Sequence, residues 1–421
     1  MFKRTVLPNG LRLILVPEKD AVTATVFVMV EAGSEYENKK NNGVSHFLEH
    51  LVFKGTTNRP EPGRVIREMD GMGADYNAYT SREHTAYYAK VQADKVEQAL
   101  EIISDIHLNP IFDKVELERE RGAVIEEINM CKDLPMRRVH DLSMELMYGD
   151  QPTGWDIAGP KSNILNMQRK DVVAYRKKHY VAPKTAIVVS GKFNEDRIVK
   201  MVKESFGKLP KSSKAKKAKT KDNQTKPQIK IETKPLDQSH IALTVKAFPT
   251  FDKRRHALHV LSSYLGGGMS SRLFIEIREE LGAAYYVRSS ADLYLDHGHL
   301  EVSAGVDHKK IEAVIETIMR EFKMVRDNPI SAEDLKRTKD NLTGRLMVGL
   351  DTSEDMAAFY GSQEIDNRKI ATPEELIQQI NRVTAADVQA VAKDIFKDRN
   401  LNLMIIGPQK SATPLKKILH F

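Results

Sequence analysis

Two histidines and a glutamate stand together in His46-Phe-Leu-Glu49-His50, at offsets of three and four residues that bring all three side chains to one face of a helix. Imidazole is a zinc ligand, and a carboxylate beside a ligand can take a proton without binding the metal itself. The stretch therefore reads as a metal site that carries its own base. The flanking Val44, Phe47, Leu48, Leu51, Val52 and Phe53 are apolar, which predicts a helix packed into a core with its imidazoles held in fixed rotamers. The plain alternative is a pair of buried histidines hydrogen-bonded to backbone carbonyls. Two histidines do not complete a catalytic zinc centre, which commonly has three protein ligands and an open position. The missing carboxylate is sought in residues 116–128, where helical spacing puts Glu120 and Glu127 on one stripe while Val124, Ile125 and Ile128 supply core contacts. Glu126 competes with Glu127 for the role, and periodicity does not separate them.

The elements that must position these residues are bounded by composition. The chain has 421 residues, 41% of them hydrophobic, enough for a globular protein of about two to four domains. No apolar run reaches the length of about eighteen residues that a membrane span needs, and the start, Met1-Phe-Lys-Arg-Thr-Val-Leu-Pro8, runs into a turn where a signal peptide would be apolar. The expectation is a cytoplasmic protein with no membrane partner. A single cysteine, Cys131, excludes an intrachain disulfide, fits a reducing compartment and is read as structural. The formal charge of +7 is strongly local: Lys211, Lys214, Lys216, Lys217, Lys219 and Lys221 lie within eleven residues that contain no acid. With no aromatic side chain to stack on bases, the run reads as a solvated tether, and no nucleic-acid partner is expected.

That run, bounded by Pro210 and Pro227, divides the chain into a metal-binding lobe at 1–210, a lysine-rich linker at 211–227 and a second lobe at 228–421. The lobes repeat one order of elements. In the first, a helix ending at Arg67-Glu68 leads through Gly73 to a strand near Asn77, an alternating strand from His84 to Val91, and a helix opened by Asp94-Lys-Val-Glu97. In the second, Arg278-Glu279 leads through Gly282 to Tyr285, a strand from Leu300 to Val306, and a helix opened by residues 307–312. The fold class is therefore α+β, with two homologous lobes, each a mostly antiparallel sheet covered by helices on one face. At the offsets of Glu120 and Glu127, a register anchored on Leu335 places Thr338 and Arg345, so only the first lobe can hold a metal.

His46-Phe-Leu-Glu-His50 followed by Glu120-Arg-Gly-Ala-Val-Ile-Glu-Glu127 resembles the inverted zinc motif of the pitrilysin and insulinase type of metallopeptidase, the inverzincins. The resemblance extends to Leu7-Pro-Asn-Gly-Leu11, Asn77-Ala-Tyr-Thr80, the stretch from Glu83 to Tyr88, and Gly266-Gly-Gly-Met-Ser-Ser-Arg-Leu-Phe274. Length and layout are similar to the short, processing-peptidase-like branch. The resemblance favours Glu127 over Glu126 as third ligand and gives Glu120 the task of orienting a histidine ligand from behind. It also implies that Arg278 and Tyr285, in a Gly282-Ala-Ala-Tyr285 approach that departs from the usual pattern at one position, reach the substrate carbonyl. Each chain would be half of a clam-shell, pairing as a homodimer or with a related chain.

The expected function is zinc-dependent endopeptidase action on peptides or unfolded segments in an enclosed chamber, with one zinc ion per chain and Glu49 as general base. Manganese or cobalt can replace zinc at such ligands. An extended substrate would add as a strand to a sheet edge, assigned to Asn77 and Ala78 within Asn77-Ala-Tyr-Thr80. Gly266-Gly267-Gly268 lacks the ending of a phosphate-binding loop and is read as a flexible substrate-sensing or hinge loop. Two other classes are weighed against this: an inert interaction subunit of the same fold, opposed by the complete ligand set, and a basic nucleic-acid-binding module.

Overall fold

Runs such as Val26-Phe-Val-Met-Val30 and Ala186-Ile-Val-Val189 lack polar alternation, the pattern of strands buried on both faces. The computed structural model, which describes residues 2–212, 215–366 and 369–421, places them at the centre of a sheet. In chain order this first sheet comprises β1 (Lys3–Val6), β2 (Arg12–Pro17), β3 (Thr23–Val30), β4 (Asp75–Thr80), β5 (Thr85–Gln92) and β6 (Thr185–Gly191). They lie side by side as β1-β2-β6-β3-β5-β4, antiparallel except where β2 meets β6. The second sheet comprises β7 (Gln228–Thr233), β8 (Ser239–Ala247), β9 (Ala284–Leu293), β10 (Gly298–Val306) and β11 (Leu401–Gly407), ordered β7-β11-β8-β10-β9 with one parallel pair, β7 with β11. From β2 and from β7 onward the two orders are the same, which establishes the duplicated α+β plan. β4 and β9 are the corresponding edge strands.

The chain forms two compact units. One contains the residues up to Asn129, Trp155–Ala218 and Gly349–Ile370; the other contains Met130–Gly154, Lys219–Val348 and Ala371–Phe421. A boundary at Ala218 falls inside the 211–227 stretch, but division into 1–210 and 228–421 does not hold for two helices, Pro135–Tyr148 and Ser353–Asp366, each of which belongs to the unit of the opposite half. These helices also correct the expectation of sheets covered on one face. Val26, Val28 and Val30 point into the main core of the first unit with Ile187 and Val189, while Phe27, Met29 and Val188 point the other way onto Ala357 and Tyr360 of the 353–366 helix. In the second unit, Leu403 and Ile405 face the main core, whereas Met404, Ile406 and Ala242 pack on Val139 and Leu142. A strand with apolar side chains on both faces needs two covers, because uncovered apolar area costs about 25 cal/mol per Å².

The lysine run is not uniformly solvated. The side chain of Lys217 is only 9% exposed, and its ammonium pairs with Glu35 at 2.5 Å and with Glu83, two buried carboxylates that demand a countercharge. Lys214 lies outside the described residues. Among those described, no helix is long and apolar enough to cross a membrane.

In the first unit the fully buried ring of His107 sits among Tyr87, Tyr180 and Phe206, with neither nitrogen hydrogen-bonded among the described residues. Burial, and secondarily the charge of Arg176, push its pKa from 6.5 down to about 3. It folds neutral, whereas the unfolded chain takes up a proton. Its contribution is therefore complete above pH 6.5 and is lost as the pH falls toward 3. His107→Phe keeps the ring and removes the proton uptake. The melting temperature of this variant is expected to fall less than that of the parent between about pH 7 and pH 5; equal falls would show that His107 does not contribute.

Candidate metal centre

The motif helix, Val44–Leu51, buries Val44, Phe47, Leu48 and Leu51 in the core of the first unit, which fixes the direction in which His46, Glu49 and His50 leave its other side. Its start is unusual. Gly43 adopts φ 100° and offers no capping side chain, and the carboxylate of Glu37 takes that place. Glu37 accepts from the backbone N–H groups of Gly43 and Ser45 at 2.8 and 2.7 Å and from Asn42 Nδ2 at 2.9 Å. Burial pushes its pKa up to about 7 against the pull of those bonds. Ser45 Oγ donates to the hydroxyl of buried Tyr175 at 2.8 Å, tying the first turn to the 169–179 helix.

The second contributor is the acidic helix Lys114–Asp133, whose inner stripe is Leu117, Glu120, Val124 and Ile128. Glu127 lies beside that stripe and is half-buried, whereas Glu126 is exposed and accepts from Asn129 of its own helix. The two acids that spacing did not separate thus differ in which side of the helix they occupy. Glu127 Oε2 lies 3.4 Å from His46 Nε2 and 3.3 Å from His50 Nε2, and the donor atoms of these three residues all fall within 4.8 Å of one another. Ligand bonds of about 2.0–2.1 Å in a tetrahedron require donor separations of about 3.4 Å, so the set fits a divalent cation such as zinc.

Behind the cluster, Glu120 Oε2 is 3.3 Å from His50 Nδ1, and Glu120 Oε1 is paired with Lys54 Nζ at 2.7 Å. This backing directs His50 Nε2 toward the shared centre and fixes the tautomer a ligand requires. Burial opposes charge on His50, but Glu120 and Glu127 outweigh it and lift its pKa to about 9. His46 and His50 in turn hold the Glu127 carboxyl well below the usual carboxylate range. Burial also opposes the charge of Glu120, yet His50 and Lys54 keep its pKa low. The three inward atoms form a polarised pocket in which positive charge, as protons or as a cation, is required.

Glu49 stands outside that convergence. Its Oε2 accepts a 2.6 Å hydrogen bond from Thr80 Oγ1, at the last position of β4. β4 is an edge strand of the sheet, paired among the described residues with β5, and Asn77 and Ala78 lie on it. Asn77 Oδ1 accepts from the N–H of Ala78 at 2.9 Å, so this edge amide is capped by its own neighbour's side chain. In the second unit, Arg278 belongs to the π-helix Phe274–Glu280, and its guanidinium lies 6.0 Å from the ring of Tyr285, a residue that is 74% exposed. Thr338 is buried, and Arg345 donates to the carbonyl of Gly267. Gly266 packs so closely on β9 that an added Cβ would meet Ser289 N at 2.5 Å, so this glycine is needed for close approach and not for flexibility. Sequence reasoning missed Lys54, Glu37 and the hydroxyl of Thr80. Nothing in their spacing relates them to the motif, since each acts across a tertiary contact.

Comparison with known proteins gives a consistent relationship. Residues 12–161 match the family described as Insulinase (Peptidase family M16), and residues 166–342 match the Peptidase M16 inactive domain. The chain is 31% identical to the uncharacterized zinc protease YmxG of Bacillus subtilis (strain 168) over 97% of this chain and 98% of that protein. It is 32% identical to the uncharacterized zinc protease ML0855 of Mycobacterium leprae (strain TN), over 99% of this chain and 94% of the relative. The fold is shared with the crystal structure of a protease from Helicobacter pylori, with a TM-score of 0.90 and 24% identity, covering 97% of this chain and 99% of the other. A crystal structure of a peptidase M16 inactive domain from Pseudomonas fluorescens matches with a TM-score of 0.88 and 19% identity over the same shares of both chains.

Metal analysis of purified variants tests the ligand set. Glu127→Gln is expected to lose most of the bound metal, a change of about 10-fold or more in affinity, while Glu126→Gln keeps the parental content. Equal metal in the two variants would remove Glu127 from the site.

Proposed function

The chain belongs to the insulinase-type peptidase family M16, and from this we propose that it is a zinc-dependent endopeptidase cutting peptides or unfolded polypeptide segments. The observation that carries the proposal is the convergence of His46 Nε2, His50 Nε2 and Glu127 Oε2, with a second carboxylate, Glu49, held beside them on a separate partner. The zinc protease names of the full-length relatives agree with it.

In this reading His46, His50 and Glu127 hold one zinc ion. When bound, zinc supplies Lewis acidity, which polarises the scissile carbonyl and makes water acidic near neutral pH. Glu49 removes a proton from the water that adds to the peptide carbonyl carbon, then gives it to the nitrogen as the C–N bond breaks, leaving an amine and a carboxylic acid, which loses its remaining proton to solvent. Glu120 with Lys54 behind it orients His50. Substrate backbone pairs with the open edge of β4 at Asn77 and Ala78, so much of the side-chain sequence goes unread. Arg278 and Tyr285 are assigned to the substrate carbonyl, where donors stabilise developing negative charge. The enclosed chamber, its completion by a second copy or a related chain, and a cytoplasmic location belong to the same reading.

Glu49→Gln preserves the shape of the side chain and removes its basicity. It is expected to keep full metal content and lower cleavage of a quenched peptide by about 10²–10⁴-fold. Cleavage at the parental rate would take the base role away from Glu49.

A further inference from the structure

The hydroxyl of Thr80 is placed where it can determine the orientation of Glu49. A glutamate side chain has three rotatable bonds, and one that neighbours a metal ligand can swing its carboxylate into the metal centre, where it would cease to be a free base. The 2.6 Å distance from Thr80 Oγ1 to Glu49 Oε2 is that of a charge-assisted hydrogen bond. It engages one carboxylate oxygen and leaves Oε1, which has no hydrogen-bond partner among the described residues, available for the water proton.

Thr80 itself is firmly held. It is β-branched and therefore restricted at χ1. It pairs with Thr85 of β5, whose buried hydroxyl donates to Ala32 O at 2.7 Å. The turn that follows is tied by Ser81: its N–H and its hydroxyl both donate to His84 O, at 2.8 and 2.9 Å, and its carbonyl accepts from Ser34 N at 3.3 Å. A hydroxyl fixed in this way is a rigid anchor for a flexible carboxylate.

Thr80 also lies on the strand assigned to substrate pairing. Ala78, two residues earlier, is on the same side of β4, about 6.8 Å away along the strand. Its N–H is engaged by Asn77 Oδ1, a contact that a substrate backbone can replace. One strand would thus bind the peptide and hold the base, so that the register of the bound backbone is measured from the element that aims the carboxylate. Resting on the assignment of Glu49 as base, we propose that Thr80 is a positioning residue that locks Glu49 outside the metal centre and couples its orientation to the substrate-pairing edge.

The test compares Thr80→Val, Thr80→Ala and Thr80→Ser with Glu49→Gln, measuring kcat and KM on a quenched extended peptide together with metal content. Val and Ala remove the hydroxyl; Ser retains it. Thr80→Val and Thr80→Ala are expected to lower kcat by about 10–100-fold, with KM within about twofold and metal content unchanged, and Thr80→Ser is expected to recover most of the loss. Parental kcat without the hydroxyl, a rise in KM alone, loss of metal, or a serine variant as slow as alanine would each overturn the proposal. If Val fails to fold, the Ala and Ser pair decides. An inactive Glu49→Gln beside unimpaired Thr80 variants overturns the role of Thr80 alone, whereas an active Glu49→Gln overturns the base assignment and the role of Thr80 with it.

Discussion

A carboxylate oxygen held 3.4 and 3.3 Å from two imidazole nitrogens, all three atoms within 4.8 Å of one another, forms a concentration of lone pairs that needs positive charge at its centre, and the surrounding architecture serves to keep that arrangement together. Without a cation the demand is met by protons, which is why the pKa of His50 rises to about 9 despite burial. A divalent ion satisfies it better, since one centre can meet all three lone pairs at once, and metal uptake then displaces protons. Glu49 escapes this demand because its carboxylate has its own donor in Thr80.

Convergence depends on two helices meeting at a fixed place. The motif helix has no capping side chain at its own start, and a short helix with unsatisfied N–H groups would fray. Glu37 satisfies those groups from a distance, and the apolar side of the helix locks its rotation. The acidic helix is anchored by Leu117, Val124 and Ile128, which sets Glu120 behind His50 and Glu127 before it. The second unit carries Thr338 and Arg345 in place of those acids, and its arginine ties down the Gly267 carbonyl instead. Duplication has thus left one unit with lone pairs to share and the other with a cation at the corresponding position.

Much of this was legible in the sequence because it is periodic. The offsets in His46–His50, the alternating strand at 84–91 and the repeat of element order all follow from short-range geometry, and the topology of the two sheets bears out the duplicated lobes. The continuous apolar runs at 26–30 and 186–189 signal that both faces of the sheet are covered, against the one-face expectation drawn from the order of elements. Helices 135–148 and 353–366 supply that cover from the opposite half of the chain, and local pattern does not say where a helix docks. Glu126 and Glu127 differ by one step of a helix, so only contact with the core separates them. Lys217 reads as solvated because its neighbours are lysine, alanine and threonine; the acids that pair with it, Glu35 and Glu83, are more than a hundred residues away in sequence. The sequence marks Thr80 as part of a strand and not as a donor, since its partner lies across a tertiary contact.

The most direct test is a crystal structure of the zinc-loaded protein with anomalous data collected on both sides of the zinc edge. The expected result is one anomalous peak about 2.0–2.2 Å from His46 Nε2, His50 Nε2 and a Glu127 oxygen, with Glu49 outside bonding distance. A peak coordinated by Glu49 or Glu126 in place of Glu127, or no peak at the two histidines, would contradict the account.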